Sequence, residues 1–290
     1  EHYEYSLGLN GLGACATQYA SRWFDVVVKR DGERFELHFE KGNNIKGLKK
    51  FPDESGKTGT LQRWLPDLDV FTDIAIPLEY FQTVLKKQAV VNAGLKFELF
   101  DEFSGETFVY LYRNGIVDYL EEINQHKNIS KIMHLQEQGK GRDRSDKPEY
   151  RIKAEVAFAF NNDINLIEYY HNSSWLEYGG APDKAVRSAF VSELDSLIKK
   201  LNKYTKNEKK ITFQDVQDSL VLVVNSFSTL TSYENQTKKS ITNKFIQEFL
   251  TEFIRHELEV YFIENRSEAE RVADQILINK RARENAESTR

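Results

Sequence analysis

The residues of this chain with the chemistry to bind a phosphate lie in two short segments near its two ends. The first is GLNGLG, residues 8–13, in which three glycines leave the backbone N–H groups unhindered and a helix is predicted to follow at once. Free backbone N–H groups beside the positive end of a helix are a common way to hold an anion. The segment fits neither the P-loop, which needs a following Lys-Ser or Lys-Thr, nor the dinucleotide fingerprint. An ordinary glycine-rich turn is therefore the alternative interpretation.

The second segment, ENQTKKS at residues 234–240, supplies an amide donor in Gln236 and a positive charge in Lys238. Apolar spacing predicts a long amphipathic helix from residue 238, which places Lys238 and Lys239 in its first turn. The helix macrodipole makes a cation there unfavourable by roughly 0.3–1 kcal/mol. An anion supplied from elsewhere would remove this cost, so the segment is a candidate phosphate contact. The alternative is a solvated turn with two exposed lysines.

Several weaker patterns accompany these segments. The TGT tripeptide at residues 58–60 offers two hydroxyls at the start of a strand, where hydroxyls usually bond to their own backbone. The lysine-rich stretch at 199–210 and the basic group at 280–283 could meet nucleic-acid phosphates, with solvated helix ends as the alternative. His171 and His256 are predicted as surface or packing residues, because the histidines are not spaced as metal ligands. The sequence predicts no metal site and favours no Ser-His-Asp or Cys-His arrangement.

The composition is that of a soluble globular protein long enough for one large domain or two ordinary ones. Of its 290 residues, 40% are hydrophobic and 29% are charged, and the formal net charge is -5. That charge argues against a protein that coats nucleic acid with its whole surface, although it allows a local basic face. Cys15 is the only cysteine, which excludes an intrachain disulfide and fits a reducing, cytoplasmic setting. No apolar run reaches about 18 residues, so membrane insertion is not expected.

The first part of the chain is predicted to be a mixed α+β unit. A short helix of small residues follows the glycine-rich segment, and two β-rich runs flank the Asp-Gly pair at 31–32, a strong hairpin signal. TGTLQRWLPD is typical of another strand, which Pro66 ends. Helical spacing of apolar residues from about residue 81 is followed by Gly94 as a C-cap, and a second hairpin turns at the Ser-Gly pair 104–105.

The pattern changes near residue 115, where we place a boundary between a first domain, 1–115, and a second domain, 116–290. The second domain is predicted to begin with a helix, IVDYLEEINQ, followed by two long strands that meet about 161–163. The almost wholly apolar run DSLVLVVNSFS contains many β-branched residues and is typical of a buried central strand. Both domains are therefore predicted to be α+β.

Long helices are predicted to dominate the rest of the second domain. Apolar spacing predicts one helix over 182–202 and another over 238–263, the latter with two adjoining apolar stripes. Ser267 and Glu270 form a capping-box signature for a last helix that ends near residue 286.

The order of these segments resembles a known family. YSLGLNGLGACATQYAS, DVVVKRDG, KTGTLQRWLPDLDVFT, GIVDYLEEIN and YENQTKKSITNKF together look like the B subunits of bacterial DNA gyrase and topoisomerase IV, over essentially the whole chain. The resemblance implies an α+β fold: the C-terminal half of a GHKL-type ATPase domain, followed by a transducer domain of the ribosomal-S5-domain-2-like fold that ends in long helices. It also implies the ATPase subunit of an ATP-dependent type II DNA topoisomerase, which couples ATP binding and hydrolysis to DNA strand passage.

The resemblance further implies roles for particular residues. The glycine-rich segment corresponds to the ATP lid, whose backbone amides wrap the phosphates; a tyrosine ahead of it touches the nucleotide, and the second threonine of TGT lies near the adenine. The glutamine and lysine of the QTK motif reach the γ-phosphate, so Gln236 and Lys238 are the expected catalytic contacts. The expected nucleotide-binding positions are Tyr3, Leu9, Asn10, Gly11, Leu12, Gly13 and Thr60.

Several features of the family are missing or altered in this sequence. The family's general-base glutamate, Mg2+-binding asparagine and adenine-binding D-x-G-x-G motif lie upstream of the lid, whereas this sequence starts at the lid without an initiator methionine. We therefore expect residues 1–290 to be a piece of a longer protein and not to hydrolyse ATP alone. Asn10 stands where many members have histidine, and GGAP at 179–182 stands where they commonly have G-G-T-H, which indicates a divergent member.

The expected cofactors of the intact protein are ATP and Mg2+, with the metal ligand outside this chain. The expected partners are DNA, an A-type subunit of gyrase or topoisomerase IV, and a second copy of the intact protein; residues 1–290 alone are expected to be monomeric and cytoplasmic. The alternative to a topoisomerase is a non-catalytic clamp or scaffold on DNA that keeps the lid and the lysine segment. The choice between gyrase and topoisomerase IV activity stays open, because it depends on the A-type partner.

Overall fold

The computed structural model describes residues 5, 12–125, 128–235 and 237–290. These residues pack into two compact units, one within Gly8–Tyr80 and the other formed by Phe81–Arg290 together with Tyr5. Residues 81–115, which the sequence analysis assigns to the first domain, thus pack with the second unit. The domain assignment at residue 115 itself stays a prediction.

The first unit is a four-stranded antiparallel sheet preceded by a short helix. The helix is α1 (Leu12–Tyr19), and the strands are β1 (Ser21–Arg30), β2 (Glu33–Glu40), β3 (Asn43–Pro52) and β4 (Gly59–Pro66), in the spatial order β3-β2-β1-β4. Asp31 and Gly32 have φ values of 52° and 74°, as a two-residue type I′ hairpin turn requires. The predicted helix, hairpin and TGT strand are confirmed. The sequence does not predict β3, because its apolar residues do not alternate with polar ones.

The second unit begins with a helix, a hairpin and another helix. These are α2 (Leu78–Val91, whose first three residues belong to the first unit), β5 (Phe97–Phe100), β6 (Thr107–Tyr110) and α3 (Ile116–Ile123). Gly105 lies in the hairpin turn with a φ of 74°, a left-handed value that favours glycine. The predicted helices and the second hairpin are thereby confirmed.

A five-stranded sheet forms the centre of the second unit. Its strands, in spatial order, are β10 (Ser174–Trp175), β9 (Leu166–His171), β12 (Leu220–Ser228), β8 (Tyr150–Phe160) and β7 (Met133–Gly141). The predicted central strand is β12, which runs parallel to β9 and antiparallel to β8. A separate parallel pair joins β11 (Gly179–Gly180) to β13 (Ser240–Ile241).

Helices cover both faces of this sheet. One core contains side chains of α4 (Ala181–Lys200), α5 (Phe213–Gln217), α6 (Lys244–Glu264) and α7 (Arg266–Ser288), together with Leu222 and Val224. The other core contains side chains of α2 and α3 together with Val221 and Val223. Alternate residues of β12 thus enter two cores, which explains why the strand is apolar at nearly every position.

Two predictions about helix starts are wrong. The helix expected from residue 238 begins at Lys244, because β13 and its flanking turns precede it. The last helix is confirmed, but its N-cap is Asn265 and not Ser267. Ser267 lies in the first turn, where its hydroxyl accepts a hydrogen bond from Nη1 of Arg271 at 3.0 Å. The capping-box signature therefore predicted this helix correctly but gave the wrong N-cap residue.

Candidate phosphate-binding site

The predicted site residues are distributed over both compact units. Leu12, Gly13 and Thr60 belong to the first unit, and Lys238 belongs to the second. The remaining predicted positions lie outside the described residues: Tyr3, Leu9, Asn10, Gly11 and Gln236.

In the first unit, the described end of the predicted lid is the first turn of α1. Leu12 is 57% exposed, and a Cβ built on Gly13 would meet no other described atom within 4 Å. The first turn contains no acidic side chain. Backbone N–H groups at this helix end are thus not neutralised by a carboxylate of the same turn, which leaves them suited to an anionic ligand.

Thr60 is the second residue of β4 and pairs through its backbone with Val28 of β1. Its side chain is exposed and forms no hydrogen bond with any residue that the structure describes. Hydroxyls at strand starts often bond to nearby backbone. The Thr60 hydroxyl instead keeps its hydrogen-bonding capacity for another group.

In the second unit, Lys238 lies in a closed loop between β12 and α6, here named the lysine loop and defined as residues 233–240. Tyr233 and Ile241 form an antiparallel bridge at its base. Just inside that bridge, the Glu234 N–H donates to the Ser240 carbonyl oxygen at 3.0 Å. The base of the loop is therefore held by paired backbone, as in a β-hairpin.

The tip of the lysine loop is a tight turn that ends at Lys238. The side-chain oxygen of Asn235 accepts a hydrogen bond from the Thr237 N–H at 3.0 Å, and its carbonyl oxygen accepts one from the Lys238 N–H at 3.2 Å. Lys238 has a φ of 58°, and its Nζ lies 5.8 Å from the centroid of the Tyr233 ring. A left-handed non-glycine residue costs about 1 kcal/mol or more, and such residues cluster at functional sites. Seven other described non-glycine residues share this conformation, so it supports a functional role for Lys238 only together with the QTK motif.

The neighbouring Lys239 is bound to a carboxylate of the protein. Its Nζ lies 2.8 Å from Glu177 Oε2 and 5.8 Å from the centroid of the Tyr178 ring. The hydrogen bond to Glu177 raises the pKa of Lys239 above its usual value. The structure thus gives the two lysines different surroundings: Glu177 and Tyr178 for Lys239, and Tyr233 for Lys238.

The anion at the start of α6 is a carboxylate of the chain itself. Oδ1 of Asp143 accepts a hydrogen bond from the Phe245 N–H at 2.9 Å, and the Tyr150 hydroxyl donates to the same atom. Because α6 begins at Lys244, Lys238 precedes it by six residues and is not in its first turn. This finding corrects the interpretation of the lysines from the sequence. The macrodipole gives no argument for a phosphate beside Lys238.

The end of the lysine loop packs against two adjacent glycines for which the sequence predicted no role. Gly179 and Gly180 pair with Ser240 and Ile241. Gly180 has a φ of 84°, and a Cβ on it would lie 2.2 Å from the Ile241 carbonyl oxygen. The signal in the sequence is the pair of adjacent glycines, which permits this close approach of two backbone segments.

The basic residues near the end of α7 are paired with carboxylates inside the protein. The Lys280 side chain is fully buried, and its Nζ lies 2.9 Å from Glu208 and 2.7 Å from Glu284. Nε and Nη2 of Arg283 donate hydrogen bonds to the two oxygens of the buried Asp215 carboxylate, at 2.7 and 3.2 Å. The burial of Lys280 contradicts a solvated helix end at that residue, whereas the Arg281 side chain is still 45% exposed. A nucleic-acid contact by this basic group stays a prediction.

His171 is a buried packing residue. Its ring nitrogens form hydrogen bonds with the hydroxyls of Ser226 at 2.7 Å and Ser228 at 2.8 Å. Burial lowers the pKa of His171 to about 3, so the ring is neutral at pH 7. The histidine thus holds together the segment that leads into the lysine loop and does not present a charge.

Neither a metal centre nor a membrane-spanning helix is found in the part of the chain that the structure describes. Within 12–125, 128–235 and 237–290, no group of three or more His, Cys, Asp or Glu side chains could hold a metal ion. Each helix among these residues is too short or too polar to cross a lipid bilayer.

Solved structures identify the fold. The 43K ATPase domain of Thermus thermophilus gyrase B, in complex with an aminocoumarin, matches 99% of this chain and 76% of its own, with a TM-score of 0.72 and 22% identity. The ATP-binding domain of Francisella tularensis topoisomerase IV matches 96% of this chain and 75% of its own, with a TM-score of 0.70 and 21% identity. The predicted α+β class is confirmed.

Sequence relatives identify the family. The DNA gyrase B protein of Thermotoga maritima is 26% identical over 292 residues, which cover 100% of this chain and 45% of that protein. The DNA topoisomerase 4 B protein of Bacillus subtilis is 25% identical over 294 residues, which cover 99% of this chain and 43% of that protein. The chain thus spans less than half the length of these relatives. The family model for DNA gyrase B matches residues 115–290, and the chain belongs to the DNA gyrase B family.

Proposed function

We propose that this chain is the nucleotide-sensing part of an ATP-dependent type II DNA topoisomerase, in which Lys238 contacts the γ-phosphate of ATP. The observation that carries the proposal is the lysine loop, whose base is closed by paired backbone and whose tip holds Lys238 in a left-handed turn. A loop built in this way holds the Lys238 backbone at a defined place, as a contact with a terminal phosphate requires.

The other nucleotide contacts in the proposal follow from the family resemblance. Gln236 is assigned as the second γ-phosphate contact, and Tyr3 and the lid positions 9–13 as contacts with the nucleotide. The open first turn of α1 supports this role for Gly13, and the exposed hydroxyl of Thr60 supports a contact near the adenine. The remaining positions lie outside the described residues and are assigned on resemblance alone.

In the proposed reaction, ATP provides the phosphoanhydride bond that is broken, and this chain provides a positive charge held beside the γ-phosphate. The ammonium group of Lys238 would lie beside the γ-phosphate, whose oxygens carry the negative charge of the transferring phosphoryl group. Mg2+ enters the proposal only as the usual companion of ATP. No step is assigned to the metal.

The position of the lysine loop in the chain suggests how nucleotide binding reaches DNA. The loop runs directly into α6 and α7, which together form the last part of the chain. We assign DNA, an A-type subunit and a second copy of the full-length protein as partners, and the cytoplasm as the location, because the relatives are named as the B subunits of gyrase and topoisomerase IV.

The test is DNA-stimulated ATP hydrolysis by the full-length protein, with Lys238→Ala compared with Lys239→Ala. Lys238→Ala is expected to lower kcat about 10²-fold, because a charge aimed at the reacting phosphate is lost. Lys239→Ala is the matched control one residue away. It removes an exposed ion pair with Glu177 and is expected to lower kcat by less than about fivefold.

Each alternative outcome has a clear meaning. Equal effects of the two substitutions would contradict a specific role for Lys238. Full activity in Lys238→Ala would contradict the phosphate contact. A wild-type protein that binds DNA but hydrolyses no ATP would favour the non-catalytic clamp instead of the topoisomerase.

A further inference from the structure

A single buried side chain, that of Asn243, joins the two ends of the lysine loop. Asn243 follows the loop and is 1% exposed. Its Oδ1 accepts a hydrogen bond at 2.7 Å from the N–H of Ser232, which precedes the loop. Its Nδ2 donates to the carbonyl oxygen of Leu230 at 3.3 Å. Neither end of the loop can therefore shift without straining a hydrogen bond of Asn243.

Asn243 is also tied to the residue that caps α6. Its Nδ2 lies 3.1 Å from the Tyr150 hydroxyl and 3.5 Å from Oδ2 of Asp143, which lies between β7 and β8. Asparagine is among the best N-cap residues, yet Asn243 occupies the N-cap position of α6 without a side-chain cap. Asp143 caps the helix by accepting a hydrogen bond from the Phe245 N–H. The carboxamide of Asn243 instead forms hydrogen bonds with Ser232 and Leu230, which precede the lysine loop.

We propose that Asn243 is a positioning residue that transmits movement of the lysine loop to α6. The inference rests on the proposed function, because contact with the γ-phosphate gives Lys238 a reason to move. Only Thr242 and Asn243 separate β13 from α6, which has 21 residues and a length of about 31 Å. A nucleotide that draws Lys238 towards its γ-phosphate would therefore displace Asn243 and, with it, the first turn of a long rigid helix.

Asn279 provides a matched control, because its carboxamide makes comparable hydrogen bonds on a different helix. Its Nδ2 donates to the Asp215 carbonyl oxygen at 2.9 Å and to the Ser219 hydroxyl at 2.8 Å. Replacing either asparagine with serine removes a carboxamide and leaves a hydroxyl, which at position 243 can still cap a helix. A packing role alone predicts similar kinetic effects at both positions, whereas a positioning role predicts an effect at 243 only.

The experiment measures kcat and KM for ATP, together with the melting temperature, in the full-length protein. Asn243→Ser is expected to lower kcat about tenfold while KM for ATP changes less than about twofold. Asn279→Ser is expected to lower the melting temperature to a similar degree and to leave kcat within about twofold of wild type. In a Lys238→Ala background, Asn243→Ser is expected to cause no further loss, because it acts through Lys238.

The outcomes separate failure of this inference from failure of the proposed function. Additive losses in the double variant, or equal kcat losses in Asn243→Ser and Asn279→Ser, would overturn the positioning role. An unchanged rate in Lys238→Ala would overturn the proposed function itself. If Asn243→Ser does not yield folded protein, Asp143→Asn replaces it, since this change keeps an oxygen for the Phe245 N–H and replaces Oδ2, which faces Nδ2 of Asn243, with a donor; the same kcat loss and the same non-additivity are expected.

Discussion

The lysine loop and the basic end of α7 are both rich in cations, yet the structure uses their charges differently. At the end of α7, the buried carboxylate of Glu208 contacts both the fully buried Lys280 and the partly exposed Arg281. In the lysine loop, Glu177 contacts Lys239, while Lys238 extends over an aromatic ring from a left-handed turn. A basic stretch of sequence therefore predicts a phosphate contact only once the acidic residues that fold against it are known.

Desolvation explains the difference in physical terms. The side chains of Lys280 and Glu208 are 0% and 8% exposed, whereas those of Lys239 and Glu177 are 43% and 36% exposed. A buried charge that loses its partner keeps the full cost of burial, while water compensates an exposed one. The α7 cluster is thus a structural element, and the lysine loop can exchange its partners at little cost.

The largest expected effect on stability tests this contrast directly. Glu208→Gln should lower the free energy of unfolding by about 3 kcal/mol, because buried Lys280 keeps only the half-exposed Glu284 as a carboxylate partner and Arg281 loses its contact with Glu208. Glu177→Gln, the matched change beside Lys239, should lower it by less than about 1 kcal/mol. Urea denaturation of the two variants at pH 7 measures both values. Equal losses would show that the two clusters are equally solvated and would break the comparison.

A smaller effect is expected at the glycines beneath the lysine loop. Gly180→Ala should cost about 2 kcal/mol, since its φ of 84° is unfavourable for alanine and the new Cβ would clash with the Ile241 carbonyl oxygen. Gly105→Ala is the control, because its φ of 74° is similar but the space around it is open; about 1 kcal/mol is expected there. Urea denaturation distinguishes the two, and equal costs would mean that backbone strain alone, and not the close approach to β13, requires glycine at position 180.

Local patterns predicted much of the fold, and non-local pairing explains the main error. The turn at 31–32, the strand β12 and the long helices follow from turn residues and apolar runs that lie within one element. The predicted start of α6 is wrong because the helical spacing of apolar residues extends back from Phe245 to Ile241. The pattern alone therefore indicates that Ile241 belongs to the helix. Its backbone instead pairs with Gly180, a residue in a distant part of the sequence. No local spacing reveals that contact.

The residues of the candidate site also fall into two groups: those that a local motif predicts and those that depend on non-local contacts. Lys238 is identified by the QTK motif, because a motif is a local feature. Asp143 and Asn243 are 100 residues apart in the sequence, and the contact between them depends on how β7, β8 and α6 assemble. The burial of Lys280 depends in turn on Glu208, which precedes it by 72 residues. The proposed ligand contact therefore follows from a local motif, whereas the residues that hold the lysine loop in place do not.

The smallest expected effect is a difference in pH dependence between the two regions. His171 contacts Ser228 and Thr231 just before the lysine loop, and burial lowers its pKa from 6.5 to about 3. Below pH 6.5 the unfolded chain takes up a proton that the folded chain does not, so this contribution to stability is lost as the pH falls towards 3. Between pH 7 and pH 5.5 the loss should be about 1 kcal/mol.

The α7 cluster should not respond in that range. The hydrogen bond from Arg281 lowers the pKa of Glu208 from 4.5 to about 2, so its contribution is complete above pH 4.5 and is lost only as the pH falls from there towards 2. Urea denaturation at pH 7, 5.5 and 4.5 should therefore show that His171→Gln removes the loss between pH 7 and 5.5, whereas Glu208→Gln leaves it unchanged. If His171→Gln and the wild type weaken in parallel, the histidine is already hydrated and charged in the folded protein. The segment that leads into the lysine loop would then be solvated, like the Lys239–Glu177 pair, and His171 would not act as a buried neutral residue.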